Sequence, residues 1–334
     1  MCRMGLAINT PHHFDRAMMA LERSSRSCRM PCIARRFYII AQSTPSGSDE
    51  DKDVPFVPSG NHLSAIIRRK QQQVENQLKE LGMDSLQERL EDAAQTPANP
   101  PYRLATLIQD IRLRTGRPVL LLEVVKPSPA STSEDVGALA AQYAGWGADA
   151  LAVLTDLDFT SSGYADMVAA CRATAVPVLQ RDWFLHPLQI VEAKEAGAAG
   201  VLGTIANVSG PRGAPVLSSY AAAIGLDCPV EVVNRTEVEA MIGGGVPFFA
   251  INLAVGISLA IPGFQSDMAK GLLHALPQGV SSIVGVKSLE EGIKAHAEGA
   301  DVVLLRREML EEAERGQGIQ ALLAQLRDAT LGDD

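Results

Sequence analysis

From Pro118 onward one pattern of apolar and polar positions recurs along the chain. A short apolar run is followed by a loop and then by an amphipathic stretch ending near glycine. The runs are Val119–Val124, Ala150–Leu154, Pro177–Leu179, Ala199–Leu202, Pro229–Val233, Phe248–Ile251, Ser282–Val286 and Asp301–Leu305. Between them lie helical patterns such as Asp135–Gly145, Leu188–Ala196 and Thr236–Ile242, with a last one near Ile319–Leu326. The phrases Trp146-Gly147-Ala148-Asp149-Ala150, Ala196-Gly197-Ala198-Ala199-Gly200 and Glu298-Gly299-Ala300-Asp301-Val302 mark three alike helix-to-strand turns. Strands buried on both faces read as unbroken apolar runs. Eight such strand–helix units predict an α/β fold of the (β/α)8 TIM barrel type. The competitor is a doubly wound open sheet, but its dinucleotide-binding fingerprint is absent.

Upstream, Leu63, Ile66, Ile67, Lys70, Val74, Leu78 and Leu81 recur at spacings of three and four, so the pattern turns helical from Leu63, and pre-barrel helices are expected over Leu63–Leu90. Pro97, Pro100 and Pro101 break it before a short helix at 103–113. Residues 61–117 are therefore read as an N-terminal helical extension and 118–330 as the barrel. The Ser-, Pro-, Gly- and Asp-rich residues 46–60 read as a linker.

Composition is ordinary for a folded protein, with 46% hydrophobic and 21% charged residues, so disorder throughout is excluded. The net charge of −9 argues against a nucleic-acid binder, and no apolar run is long enough for a membrane span. That charge is uneven. Residues 1–45 carry seven arginines and two acids, Asp15 and Glu22. An Arg-rich, Ser-containing, acid-poor start is the mark of an organelle transit peptide. Five cysteines exclude a disulfide scaffold, and neither they nor the six histidines fall into metal-ligand spacing, so no metal site is expected.

In a barrel the chemistry sits at the C-terminal ends of the strands. Here those ends present Glu123 on the first run, Thr155 and Asp156 on the second, and Gln180-Arg181-Asp182-Trp183 after the third. Glu231 stands on the fifth, Asn252 after the sixth, Val284-Gly285 on the seventh, and Arg306-Arg307-Glu308 after the eighth. Alternation puts Glu123 and Val125 on one face and Lys126 on the other.

These phrases resemble the indole-3-glycerol phosphate synthase family. Glu123-Val-Val-Lys-Pro-Ser-Pro, Leu151-Ala-Val-Leu-Thr-Asp, Pro177-Val-Leu-Gln-Arg-Asp-Trp-Phe-Leu-His-Pro-Leu-Gln-Ile, Pro229-Val-Glu-Val and Ala250-Ile-Asn follow the family's motifs in order. The resemblance spans roughly 61–330 and implies a carboxy-lyase of tryptophan biosynthesis that works without a cofactor. Such an enzyme closes an indole ring on a carboxyphenylamino-deoxyribulose phosphate and expels carbon dioxide and water. It also implies a small anionic phosphorylated ligand; a protein partner stays unidentified. With the family's usual address in photosynthetic eukaryotes, residues 1–45 point to a plastid, with the mitochondrion second. A reporter carrying that segment but left in the cytosol contradicts this address.

Carried over residue by residue, Glu123, Glu231 and Asn252 take catalytic positions, and Ser128, Phe159 and Gly285 take substrate-binding ones. The departures are as telling. Arg181 stands where the family has its catalytic lysine after the third strand, and Val125 replaces the lysine of Glu-x-Lys on the first. Val284 replaces the serine of Glu-Ser-Gly on the seventh. The Gly-Glu-Ser that seats phosphate becomes Arg306-Arg307-Glu308. Leu253 and Ala254 replace an asparagine and an arginine, and Thr160 replaces one of two aromatics. An arginine holds its proton and transfers it poorly. The expectation is a barrel whose family reaction is lost or strongly reduced, acting as a non-catalytic binding or assembly protein. Arg306 remains able to clamp an anion. The alternatives are an active synthase with another donor, such as Lys126, or a lyase acting on another phosphorylated substrate.

Overall fold

The structure is a computed structural model that describes residues 61–157, 160–251 and 264–331. The proposed transit segment 1–45 and linker 46–60 lie outside the described residues, as do Phe159 and Asn252. Three helices precede the barrel: α1 (Asn61–Leu81), α2 (Met83–Gln95) and α3 (Arg103–Thr115). The helices expected over Leu63–Leu90 are α1 and α2, separated at Gly82, whose φ of +77° ends α1.

The barrel strands are β1 (Val119–Val124), β2 (Ala150–Leu154), β3 (Val178–Arg181), β4 (Gly200–Leu202), β5 (Thr204–Ile205), β6 (Val230–Val232), β7 (Phe248–Ile251), β8 (Ser281–Val286) and β9 (Val302–Leu305). All pair in parallel in the order β4-β3-β2-β1-β9-β8-β7-β6-β5. Nine segments stand where eight runs were read, because the run Ala199–Leu202 is followed, past Gly203, by a further two-residue segment, β5. Leu202 pairs beside β3 while Thr204 pairs beside β6, and a bridge from Gly200 to Asp227 joins the same edges, closing the ring. Gly203 has φ +124°, and a Cβ there would sit 1.7 Å from the Asp182 carbonyl oxygen. Only glycine fits, and its bend brings the loop after β3 onto the ring.

Register fixes what faces inward. Val119, Leu121, Ala150, Ala152, Leu179, Leu202, Phe248, Ala250, Ile283, Val302 and Leu304 form one interior cluster. Leu104, Ile108 and Ile111 of α3 join it, so this helix plugs the N-terminal end of the barrel. By the period of two, Glu123, Arg181, Gly285 and Arg306 continue the inner face toward the other end. Val284, Val286 and Val303 alternate outward against the helices.

The connecting helices are α4 (Ser133–Gly145), α5 (Gly163–Ala173), α6 (Pro187–Glu195), α7 (Ala206–Ala223), α8 (Arg235–Gly243), α9 (Phe264–Leu273), α10 (Leu289–Ala297), α11 (Arg307–Arg315) and α12 (Ile319–Thr330). Several are capped as their sequences suggest. Thr132 and Asp135 form a reciprocal box on α4, and Asn234 accepts from the Glu237 amide on α8. His186 caps α6, its Nδ1 accepting from the Leu188 amide at 3.1 Å ahead of Pro187. Burial holds that imidazole neutral, with its pKa pushed down to about 4.

Helix α3 has no cap of its own at Tyr102. Asp227, just before β6, supplies one from a distance, accepting from the Leu104 amide at 2.8 Å and the Ala105 amide at 3.4 Å. Burial raises this carboxyl to about 7 against those two hydrogen bonds. Its unfolded value is about 3.9, so the folded protein holds the extra proton between the two. The group's contribution to stability therefore falls as pH rises through that window. Asp227→Asn keeps an acceptor for the α3 amides and cannot ionise. Its urea midpoint is expected to gain on the parent's as pH rises from about 4 to about 8. A gap that stays constant across that range contradicts the assignment.

Candidate functional site

The mouth at the C-terminal ends of the strands holds a cavity of about 340 Å³. Glu123 from β1, Arg181 from β3, Glu231 from β6 and Arg306 after β9 all line it. Glu123 is engaged on both oxygens. Its Oε2 accepts from the Arg307 amide at 2.8 Å, and its Oε1 is ion-paired with the Arg181 guanidinium. Glu123 is 6% and Glu231 3% exposed, so each carboxylate depends on a nearby cation. Arg181 and Arg306 supply it: the charge of Glu231 acts on both guanidinium groups, and that of Glu308 reaches both as well. Burial lowers the pKa of each arginine while those carboxylates oppose the shift. A guanidinium starts so high that it stays protonated.

The seat beside Gly285 is filled. A Cβ placed on Gly285 would meet Arg306 Nε at 3.1 Å, so the guanidinium lies directly on that glycine. Helix α11 begins with Arg306 as N-cap, and its Arg307 amide is spent on Glu123. The N-terminus of a helix attracts anions through such amides. Here the protein's own carboxylate occupies one of them.

A second layer braces this mouth. Lys70 of α1 is 4% exposed, and its Nζ lies 2.6 and 2.7 Å from the two carboxylate oxygens of Asp182. Burial raises the Asp182 carboxyl above its usual range, against the pull of Lys70. Asp182 Oδ1 also accepts from the Trp183 amide at 2.7 Å, and the Trp183 indole donates to Asp156 Oδ2 at 2.8 Å. The residues after β2 and β3 are thus tied to each other and to α1. Lys70 was legible only as a lysine on an otherwise apolar helix stripe.

Lys126 does not line this cavity. Its Nζ donates to Ser162 Oγ at 2.6 Å and lies 3.8 Å from the buried Asp166, which also accepts from Ser133 and Thr160. That network fastens the loops after β1 and β2 on the outer side of β1, where alternation puts Lys126. Ser128 is exposed in a turn closed by Ser131, and it does not line the cavity. Among the described residues no group of three or more His, Cys, Asp or Glu is placed to hold a metal ion. No helix among them is long and apolar enough to cross a membrane.

The model of the indole-3-glycerol phosphate synthase family matches residues 63–258. The chain belongs to that family. It is 28% identical to the indole-3-glycerol phosphate synthase of Opitutus terrae over 249 residues, covering 71% of this chain and 90% of that protein. With the same enzyme of Acidithiobacillus ferrooxidans it shares 27% over 266 residues, covering 78% and 97%. Among solved structures, tryptophan synthase from M. tuberculosis is 16% identical with a TM-score of 0.49, covering 69% of this chain and 99% of that one.

If the family's Glu-Ser-Gly sets its serine on Val284, its glutamate falls on Ile283. Val284 faces outward toward α9 and α10, whereas Ile283 is 1% exposed in the barrel interior. On this strand Ile283, not Val284, faces the barrel's interior. The alternation of β8 carried the signal.

Proposed function

We propose that this member of the indole-3-glycerol phosphate synthase family has lost, or retains only weakly, the decarboxylating ring closure, and that it works as a non-catalytic barrel that binds a small ligand at its mouth. One observation carries the reading. The glutamate of β1 and the arginine in the lysine position neutralise each other, and that glutamate's other oxygen closes the α11 amide.

Ring closure needs a proton delivered near the ribulose carbonyl, carboxylates to take the ring proton and assist the departing hydroxyl, and a seat for phosphate. Arg181 holds position and charge but not a transferable proton. Loss of a positioned general acid costs about 10²- to 10⁴-fold in rate. Val125 lines the mouth where the family's other lysine stands, and it brings neither charge nor proton. Ile283 puts a hydrocarbon where a glutamate is expected. Arg306 over Gly285 and Glu308 beside it oppose a phosphate dianion by bulk and by like charge. The charge balance of the mouth persists while its titratable donor is gone, a pattern that suits retained binding better than unconstrained decay.

Complementation tests this. A tryptophan auxotroph lacking its own synthase is expected to stay auxotrophic when it expresses residues 46–334 in soluble form. Growth without tryptophan, abolished by Glu231→Gln, overturns the proposal.

A further inference from the structure

We infer that the mouth takes a small zwitterion with an apolar body, an amino-acid-like ligand, in place of a phosphomonoester. This deepens the non-catalytic reading and rests on it.

The cavity's lining mixes apolar groups with charges of both signs, Glu123 and Arg181 being already paired with each other. Its apolar lining residues are Val125 just after β1, Leu154 of β2, Trp183 in the loop after β3 and Ile205 of β5. Beyond the Glu123–Arg181 pair and the braced Asp156 and Asp182, Glu231 of β6 and Arg306 and Glu308 at the start of α11 bring further charge to it. Arg306 stands under the fields of both carboxylates. A phosphate dianion drawn to that guanidinium meets two carboxylates, and the helix amide that would have helped is held by Glu123. An ammonium and a carboxylate on neighbouring atoms match these opposite charges. The carboxylate pairs with the Arg306 fork, where charge-assisted hydrogen bonds are strong. The ammonium pairs with Glu231 or Glu308. The apolar body then lies along Trp183 and Leu154, away from water. A cavity of about 340 Å³ is in the range of small-molecule sites.

Calorimetric titration of the full chain separates the ligand classes. The probes are phenylalanine, 3-phenylpropanoate (no ammonium), phenethylamine (no carboxylate), glycerol 3-phosphate and inorganic phosphate. Phenylalanine is expected to bind at least about tenfold more tightly than each of the other four. In a Glu231→Gln variant that unfolds at the parent's temperature, its advantage over 3-phenylpropanoate is expected to shrink to about twofold or less. Tighter binding of glycerol 3-phosphate or phosphate than of phenylalanine overturns the inference, and so does binding of none of the five. Turnover of the family's substrate by the same preparation is the separate check on the underlying reading. A phosphate preference without turnover removes the zwitterion and leaves the loss of activity standing.

Discussion

A variant carrying Val125→Lys, Arg181→Lys, Ile283→Glu, Arg306→Gly and Glu308→Ser is expected to form indole-3-glycerol phosphate at least about 100-fold faster than the parent chain. Each change reverses one feature of the mouth. Val125 already lines the cavity on the face of Glu123, so a lysine there points inward. Lysine at 181 keeps the positive charge and gains a proton that can leave when the group is desolvated. Glutamate at 283 restores a carboxylate to the inner face of β8. Glycine at 306 uncovers Gly285, and serine at 308 removes a negative charge from the phosphate's approach. Val284 is left alone because it faces the helices. Arg181→Lys by itself is expected to give much less, since the seat stays filled and Glu123 still closes the Arg307 amide. Indole fluorescence follows the product. A five-site variant that folds, by circular dichroism and thermal unfolding, yet stays silent contradicts the assignment of these positions.

Lys70→Ala is expected to destabilise the protein by about 3–5 kcal/mol, far more than an exposed lysine would. The substitution leaves Asp182 buried without its ammonium partner. Breaking one side of a buried pair costs more than removing both, because the survivor keeps its charge and loses its compensation. Lys70→Met combined with Asp182→Asn is therefore expected to recover more than half of the loss, since asparagine still accepts from the Trp183 amide. Urea unfolding of the three chains measures this. A Lys70→Ala cost below about 0.5 kcal/mol contradicts a buried, structure-bearing pair.

Much of this was legible in the chain because the physics behind it is local. Two-faced burial makes strands into apolar runs, and the three Trp146-, Ala196- and Glu298-led turns place Gly147, Gly197 and Gly299 at positive φ. Alternation alone put Glu123 with Val125 and turned Lys126 away. What stayed hidden depends on contacts distant in sequence. Nothing near Lys70 announces Asp182, which lies 112 residues further on. Nor does the sequence near Asp227 show that it caps α3. The bend at Gly203 follows from a carbonyl approaching across the sheet, and the short paired segment beyond it, Thr204–Ile205, was not among the apolar runs. The alternation of β8 is legible too, setting Ile283 inside and Val284 toward the helices.

The most direct test is to incubate the full chain with the family's carboxyphenylamino-deoxyribulose phosphate and record indole fluorescence over time. Fluorescence flat against a heat-denatured control is the expected result. A signal that rises in proportion to protein concentration and vanishes in Glu231→Gln would show that a guanidinium-filled mouth still closes the ring, and the loss of activity argued above would be wrong.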